Sequence, residues 1–290
     1  MLFYLFHGTF TDFKLNRQYT VTYIKGGGIL ASIRDVEKDL QSTKMSTLFH
    51  NMSTLLPNIG MLNQNLSSEE RLLRDIVRVI PSINPNIPFD QLRFVILDTE
   101  TTGLKPNKRD KIISFGAVLL ESGKIKEKET FYELVNPKRS VPKIATDLTG
   151  ITGQMLTNKP DLTDVLSRFI PWAGNSVLVG HAIGFDLDFI NRHLRSVCGR
   201  KLGHKFLDTK TMASALFPDL STYSLENICK YLNISCGKRH HALSDALSSA
   251  RILSEILKYL TEQGIKTLHD LDNFLRYQRF LTQSENSIGC

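Results

Sequence analysis

The feature that most constrains this chain is a run of four apolar residues, Phe94-Val95-Ile96-Leu97, followed at once by Asp98-Thr99-Glu100. An unbroken apolar run reads as a strand buried on both faces. Carboxylates placed directly after it emerge from a core strand, where unpaired charge is costly. In extended chain, residues i and i+2 share a face, so Asp98 and Glu100 stand side by side. Two such anions repel unless a cation bridges them, and hard oxygen ligands suit Mg²⁺ or Mn²⁺. Spacing alone does not select this pair. The 29 acidic residues form six i, i+2 pairs, where chance gives roughly three. Asp35/Glu37, Glu127/Glu129 and Asp270/Asp272 read as solvated surface; only Asp98/Glu100 follows a core strand.

The segments around this strand set the fold class. Strand-like runs at 112–120 and 130–135 are joined through Glu121-Ser122-Gly123-Lys124, a hairpin connection. A helical pattern at 161–170, a short strand at 177–179 and a helix after Asp186 come next. A strand ends at Leu207-Asp208, and helices start at Thr209, at Ser224 and at Ala242, the last running to Leu260. A meander followed by alternating strands and helices makes an α/β domain, a mixed central sheet flanked by helices, over residues 93–260.

The flanks differ. Residues 1–66 sustain neither period and read as a loosely packed or irregular extension. Within them, Gly26-Gly27-Gly28 reads as a flexible breaker, and Met45, Met52 and Met61 as alternative starts. Ser67 with Glu70 three residues on forms a capping box for a short helix through Leu72, Leu73, Ile76 and Val77. Pro81, Pro85 and Pro88 then make 67–92 a short helix and proline-rich linker. In 261–290, Ile265, Leu268, Leu271, Phe274 and Leu275 repeat at helical spacing. They form either a docking face or an extra helix packed on the domain's own core.

Charge and composition narrow the function classes. Residues 91–290 carry 27 Lys+Arg against 21 Asp+Glu, while 1–90 carry 9 against 8. That modest positive field suits a polyanion. No apolar run nears the ~18 residues of a membrane span, and the opening MLFYLFHGTF lacks the basic start and cleavage site of a signal peptide. Four cysteines without a C-x-x-C pair fit small buried or terminal thiols in a reduced, cytoplasmic protein.

Two further carboxylate segments complete the candidate site. His181-Ala182-Ile183-Gly184-Phe185-Asp186 follows the strand at 177–179, and Asp186 opens a helix with Leu187, Ile190 and Leu194 on one face. Alone, Asp186 reads as an N-terminal helix carboxylate and His181 as structural. His240-His241-Ala242-Leu243-Ser244-Asp245 opens a helix whose stripe runs Leu243, Ala246, Leu247, Ala250 and Leu253. Histidine titrates near neutral pH, which suits a general base. Alone, the histidines read as a surface basic cluster with Lys238 and Arg239.

Together, D-T-E-T-T-G at 98–103, G-F-D at 184–186 and H-x-x-x-x-D at 240–245 resemble the DEDDh, or DnaQ-like, 3′–5′ exonucleases, which include the proofreading epsilon subunit of bacterial DNA polymerase III. Leu148-Thr149-Gly150-Ile151-Thr152 and Leu207-Asp208-Thr209 are lesser matches. The resemblance implies an RNase H-like fold. It implies that Asp98, Glu100, Asp186 and Asp245 bind two divalent cations, Mg²⁺ or Mn²⁺, and that His240 deprotonates the attacking water, with His241 a bystander. It also implies that Thr101, Gly103 and Leu104 hold the terminal nucleotide, Leu104 either as a wedge beside the last base or as an ordinary buried turn residue. The expected partners are nucleic acid with a free 3′ end, single-stranded DNA foremost, and a DNA polymerase catalytic subunit, with no membrane. This sequence departs from the family at Ala182, where Asn is frequent, and at Thr149, where some epsilon-like members have His. The leading expectation is a two-metal-ion DNA exonuclease. An exoribonuclease or oligoribonuclease-like enzyme and a non-catalytic binding or docking module are the alternatives.

Overall fold

In the computed structural model the backbone is described for residues 5–12, 17–24, 28–30, 67–78, 80, 82–106 and 110–288, and the side chains for 67–78, 80, 82–106 and 110–281. The chain divides into two compact units, residues 1–65 and 66–290.

The first unit contains an antiparallel sheet of β1 (Leu5–Asp12), β2 (Arg17–Ile24) and β3 (Gly28–Leu30). These segments are strands, where the expectation was of loosely packed or irregular chain. In β2, Tyr19, Val21 and Tyr23 alternate with Gln18, Thr20 and Thr22, and β-branched and aromatic residues favour strands. The alternation is only eight residues long, and the register sets Phe6 opposite Tyr23 and Phe10 opposite Tyr19. The expectations for Gly26, Gly27, Met45, Met52, Met61 and the rest of 31–66 lie outside the described residues.

The second unit is built on a five-stranded mixed sheet in the order β6-β5-β4-β7-β8. Its strands are β4 (Arg93–Thr101), β5 (Ile112–Glu121), β6 (Lys124–Leu134), β7 (Val177–Gly180) and β8 (Phe206–Asp208). The first three pair antiparallel; β7 pairs parallel to β4 and β8 parallel to β7. Ser122 and Gly123 both take positive φ, 51° and 70°, as a two-residue turn matching the twist of its strands requires.

Two helical layers cover the sheet. On one face, Phe94 and Ile96 of β4 pack with Val118 and Leu120 of β5 against Ile252, Leu253 and Ile256 of α8 (Ala242–Glu262). On the other, Val95 and Leu97 pack with Phe115 against Phe169 of α4 (Leu162–Ala173) and Ile190 of α5 (Gly184–Cys198). This odd–even division explains the continuous apolar run, since both faces of β4 are core. Asp161 caps α4 by accepting from the N–H groups of Thr163 and Asp164.

The capping box forms. The Ser67 N–H donates to Glu70 Oε2 at 2.8 Å, and the Glu70 N–H donates to Ser67 Oγ at 3.2 Å. The helix it opens, α1 (Ser68–Arg78), does not behave as the head of a linker, because Leu73, Ile76 and Val77 are buried in the core with α4 and α5. The proline-rich segment is also tied down. The Phe89 N–H donates to the Lys266 carbonyl at 2.9 Å, and that of His269 to the Pro85 carbonyl at 2.9 Å. In α9 (Leu268–Ile288), Leu268, Leu271 and Leu275 are buried in the core beside α8, with Ile265 and Phe274 packed against it. This stripe therefore serves the domain's own core rather than a docking face. No helix among the described residues is long and apolar enough to cross a membrane.

Candidate active site

The site forms where β4 leaves the sheet. The even-numbered residues of β4 face α8, so Asp98 and Glu100 continue the row begun by Phe94 and Ile96. Asp245 lies in the first turn of α8, on the same side. Asp186 comes from the opposite layer, in the first turn of α5. Thr99 faces that layer and donates its Oγ1–H to Asp186 Oδ1 at 2.6 Å. One strand end thus gathers carboxylates from both helical layers.

Glu100, His240 and Asp245 bring possible ligand atoms within 4.8 Å of one another. Asp98 joins them electrostatically. Its pKa is held well above the usual carboxylate range, first by burial and then by the charges of Asp186, Asp245 and Glu100, against the pull of Arg239. Burial, then Asp245, pushes Glu100 up to about 7. Burial also raises Asp186 to about 7, although the bonds from Thr99 oppose the shift. Carboxylates sharing one place are a repulsive arrangement, and the neighbouring acids add to burial in raising Asp98 and Glu100.

The cluster fits a hard cation. Asp245 is 3% exposed, yet its Oδ1 has no hydrogen-bond partner among the described residues. A buried polar atom without a partner is costly, and an ion would satisfy it. Its Oδ2, in contrast, takes the His240 N–H at 3.0 Å and Arg239 Nη1 at 2.5 Å. The donor set is all oxygen except for one imidazole, which suits Mg²⁺ or Mn²⁺ better than a softer metal.

The support around the cluster was mostly hidden in the sequence. Gly116 of β5 sits opposite Asp98 on one side and Tyr132 of β6 on the other. A Cβ on Gly116 would fall inside the backbone of Ala242 and Leu243, so glycine lets α8 lie close enough for Asp245 to reach β4. His241 is more than a bystander. Its Nδ1 accepts from the Ser244 N–H at 3.4 Å, capping α8, and its ring stacks on Tyr132 with centroids 5.0 Å apart. His240, just before, holds φ at 57°, the left-handed region that non-glycine residues rarely adopt. Ser114, opposite Glu100, is buried with no partner for its hydroxyl among the described residues.

The second motif is braced from β8. Asp208 accepts from the Ala182 N–H at 3.0 Å, and His181 Nδ1 lies 3.2 Å from Thr209 Oγ1. Burial lowers the His181 pKa, in keeping with a structural histidine. Ala182 has φ of 59°, a conformation that asparagine tolerates better than alanine. The departure from Asn at this position therefore falls on a turn.

Beyond β4, Thr101 donates its hydroxyl to the Gly103 carbonyl at 2.7 Å. A Cβ on Gly103 would meet the Asp110 carboxylate. Asp110 organises this loop, accepting from Thr102 Oγ1, the Lys105 N–H and Arg139. Leu104 is 80% exposed, which removes the reading of a buried turn residue. The 148–152 segment ends α2 (Lys143–Thr149) at Gly150, φ 74°, and opens α3 (Gly153–Leu156) with Thr152 as cap. Thr149, where His was noted in relatives, bonds back to the Ala145 carbonyl at 2.8 Å.

The exonuclease family model named for RNase T matches residues 95–253, more than half of the chain. The chain belongs to this exonuclease family. All three carboxylate segments fall inside the match. Over 181 residues the chain is 39% identical to a DNA polymerase III PolC-type protein of Clostridium perfringens, covering 61% of this chain and 12% of that protein. Over 182 residues it is 35% identical to a DNA polymerase III subunit epsilon-like protein of Rhodobacter capsulatus, covering 62% of this chain and 26% of that one. The chain thus spans a minor part of the length of either relative. Among solved structures, the nuclease domain of 3′hExo, a DEDDh family member bound to rAMP, superposes with a TM-score of 0.53 at 22% identity, covering 60% of this chain and 95% of that one. That likeness supports the RNase H-like fold expected for residues 93–260.

Proposed function

We propose that this exonuclease removes nucleotides from the 3′ end of DNA, releasing nucleoside 5′-monophosphates, and that it serves proofreading or repair as an epsilon-like partner of a DNA polymerase catalytic subunit in the cytoplasm. The observation that carries this reading is the meeting of Glu100, Asp245 and His240, with Asp98 and Asp186 coupled to them by charge and one buried carboxylate oxygen left open. The printed names of the relatives, PolC-type and epsilon-like, supply the polymerase context.

In this mechanism Asp98, Glu100, Asp186 and Asp245 would hold two divalent cations. Such ions stabilise the negative charge on the attacking and leaving oxygens of the phosphodiester. His240 takes the proton of the attacking water, whose oxygen bonds to phosphorus as the P–O3′ bond breaks. The leaving O3′ takes a proton from solvent to give the shortened strand its 3′-hydroxyl, and the released nucleotide keeps its 5′-phosphate. His240 brings a ring nitrogen within 4.8 Å of a Glu100 and an Asp245 carboxylate oxygen, next to the His241 cap of α8 and its stack on Tyr132. Exposed Leu104, on the loop leaving β4, packs beside the terminal base, and Thr101 and Gly103 shape that loop.

Matched 5′-labelled single-stranded DNA and RNA, digested with Mg²⁺ or Mn²⁺ beside Asp245→Ala, test this reading. Stepwise shortening from the 3′ end, faster on DNA and lost with chelator or the substitution, is the expected result. Faster loss of RNA moves the assignment to an exoribonuclease. No cleavage of either by folded protein makes it a binding module.

A further inference from the structure

Arg239 was expected on a basic surface with Lys238; instead it turns inward. It is the last residue before His240, and its guanidinium spans two helices. Nη1 pairs with Asp245 Oδ2 at 2.5 Å, while Nε bonds Glu226 Oε1 in the first turn of α7 (Leu225–Tyr231). The Asp245 side chain is 4% exposed, the Arg239 side chain 32%, and the Glu226 side chain 51%. The bridge therefore runs from the buried cluster to the surface. The planar guanidinium makes the two bonds from separate nitrogens in a fixed fork, whereas a lysine ammonium presents all its donors from one atom.

The two oxygens of Asp245 are used unequally. Oδ2 receives Arg239 and the His240 N–H. Oδ1 is buried and has no partner among the described residues. We infer that Arg239 is a positioning residue for Asp245: with the His240 backbone it saturates Oδ2, fixes the carboxylate plane, and leaves Oδ1 as the oxygen offered to a divalent ion. Glu226 holds Arg239 in turn, so α7 braces a ligand carried by α8. This rests on the reading of the four carboxylates as a metal site.

Mn²⁺ binding to the metal-free full-length protein, measured by titration calorimetry without nucleic acid, tests it on wild type, Arg239→Gln, Arg239→Lys and Glu226→Gln. Loss of a residue that orients a metal ligand costs about 10–100-fold in metal affinity. Arg239→Gln is expected to show that loss with an unchanged circular dichroism spectrum. Arg239→Lys recovers part of it, and Glu226→Gln loses less than Arg239→Gln. Affinity of Arg239→Gln equal to or tighter than wild type overturns the inference, since Arg239 would then be a neutral bystander or a charge competing with the ion. Should Arg239→Gln fail to fold, Glu226→Gln decides, and wild-type affinity in that variant overturns the bracing role. Wild-type protein that binds no Mn²⁺ overturns the metal-site reading itself, and the inference with it.

Discussion

Asp186 and Asp245 reach the same strand end from opposite faces of one sheet, and they are held by different means. Asp186 arrives on α5 and is fastened to β4 by Thr99, through a short bond from its hydroxyl and a bond from its backbone. Asp245 arrives on α8, which lies close only because Gly116 has no side chain, and is fastened from outside the sheet by Arg239 and the His240 backbone. The first carboxylate is oriented by the strand that bears two of the other acids, Asp98 and Glu100. The second depends on a loop, a charged bridge and a residue at positive φ. Asp186 and Asp245 are each held by partners that do not belong to the cluster, which opposes the mutual repulsion of the acids.

The sharpest way to break this comparison is to remove each acid in turn. Asp186→Asn and Asp245→Asn are both expected to lower the rate of strand shortening by about 10²–10³-fold or more, the scale for losing one preorganised electrostatic group at a reacting centre. A drop for one alone would show that the site needs only one layer of the sheet. Thr99→Val separates the two supports, since it removes the only side-chain bond described for Asp186 and leaves Arg239 and Asp245 untouched. About a 10–100-fold loss in Mn²⁺ affinity or rate is expected, measured beside wild type at one pH.

How much of this was legible in the sequence depends on range. The strand was plain from Phe94 to Leu97, because a core strand in two hydrophobic layers has no polar interruption. The three acid motifs were also plain, because residue type and spacing are local. Gly116, Tyr132 and Arg239 were not. Each acts on a residue more than five positions away or across the sheet, and periodicity carries no such information. Gly116 sits in a run, Ile112–Leu120, that reads simply as buried strand. Arg239 beside Lys238 looks like solvated charge until Glu226 and Asp245 are brought to it. Helix α9 shows the converse case. Its apolar spacing was clear, but only the fold showed that the stripe packs on its own domain.

A smaller effect follows from charge. Glu100 and Asp186, with ordinary values of 4.5 and 3.8, are both raised to about 7 in the folded, metal-free protein. The folded state then binds more protons at these two groups than the unfolded state between those limits, so their contribution to stability is fullest below the ordinary values and is lost as pH rises through about 7. Thermal unfolding of metal-free protein is expected to show a declining melting temperature across that window. Saturating Mg²⁺ should flatten the decline, because the ion replaces the proton as the partner of the charge. An equally steep decline with and without Mg²⁺ would separate the acids from the ion.

The smallest expected effect concerns the turn before α5. Ala182 occupies the left-handed region at φ 59° while Asp208 takes its N–H. A non-glycine residue there costs about 1–2 kcal/mol, and asparagine relieves part of it. Ala182→Asn is expected to raise stability by about 0.5–1 kcal/mol in denaturant unfolding without disturbing the Thr99–Asp186 bond. Lower stability would show that the turn is held by packing rather than limited by its backbone.

The most direct test of the central claim is anomalous diffraction from crystals of the full chain grown with Mn²⁺. The account predicts Mn²⁺ peaks enclosed by Asp98, Glu100, Asp186 and Asp245, with Asp245 Oδ1 among the ligands and Oδ2 still on Arg239. Mn²⁺ bound elsewhere, or none among these four carboxylates at saturating concentration, would contradict it.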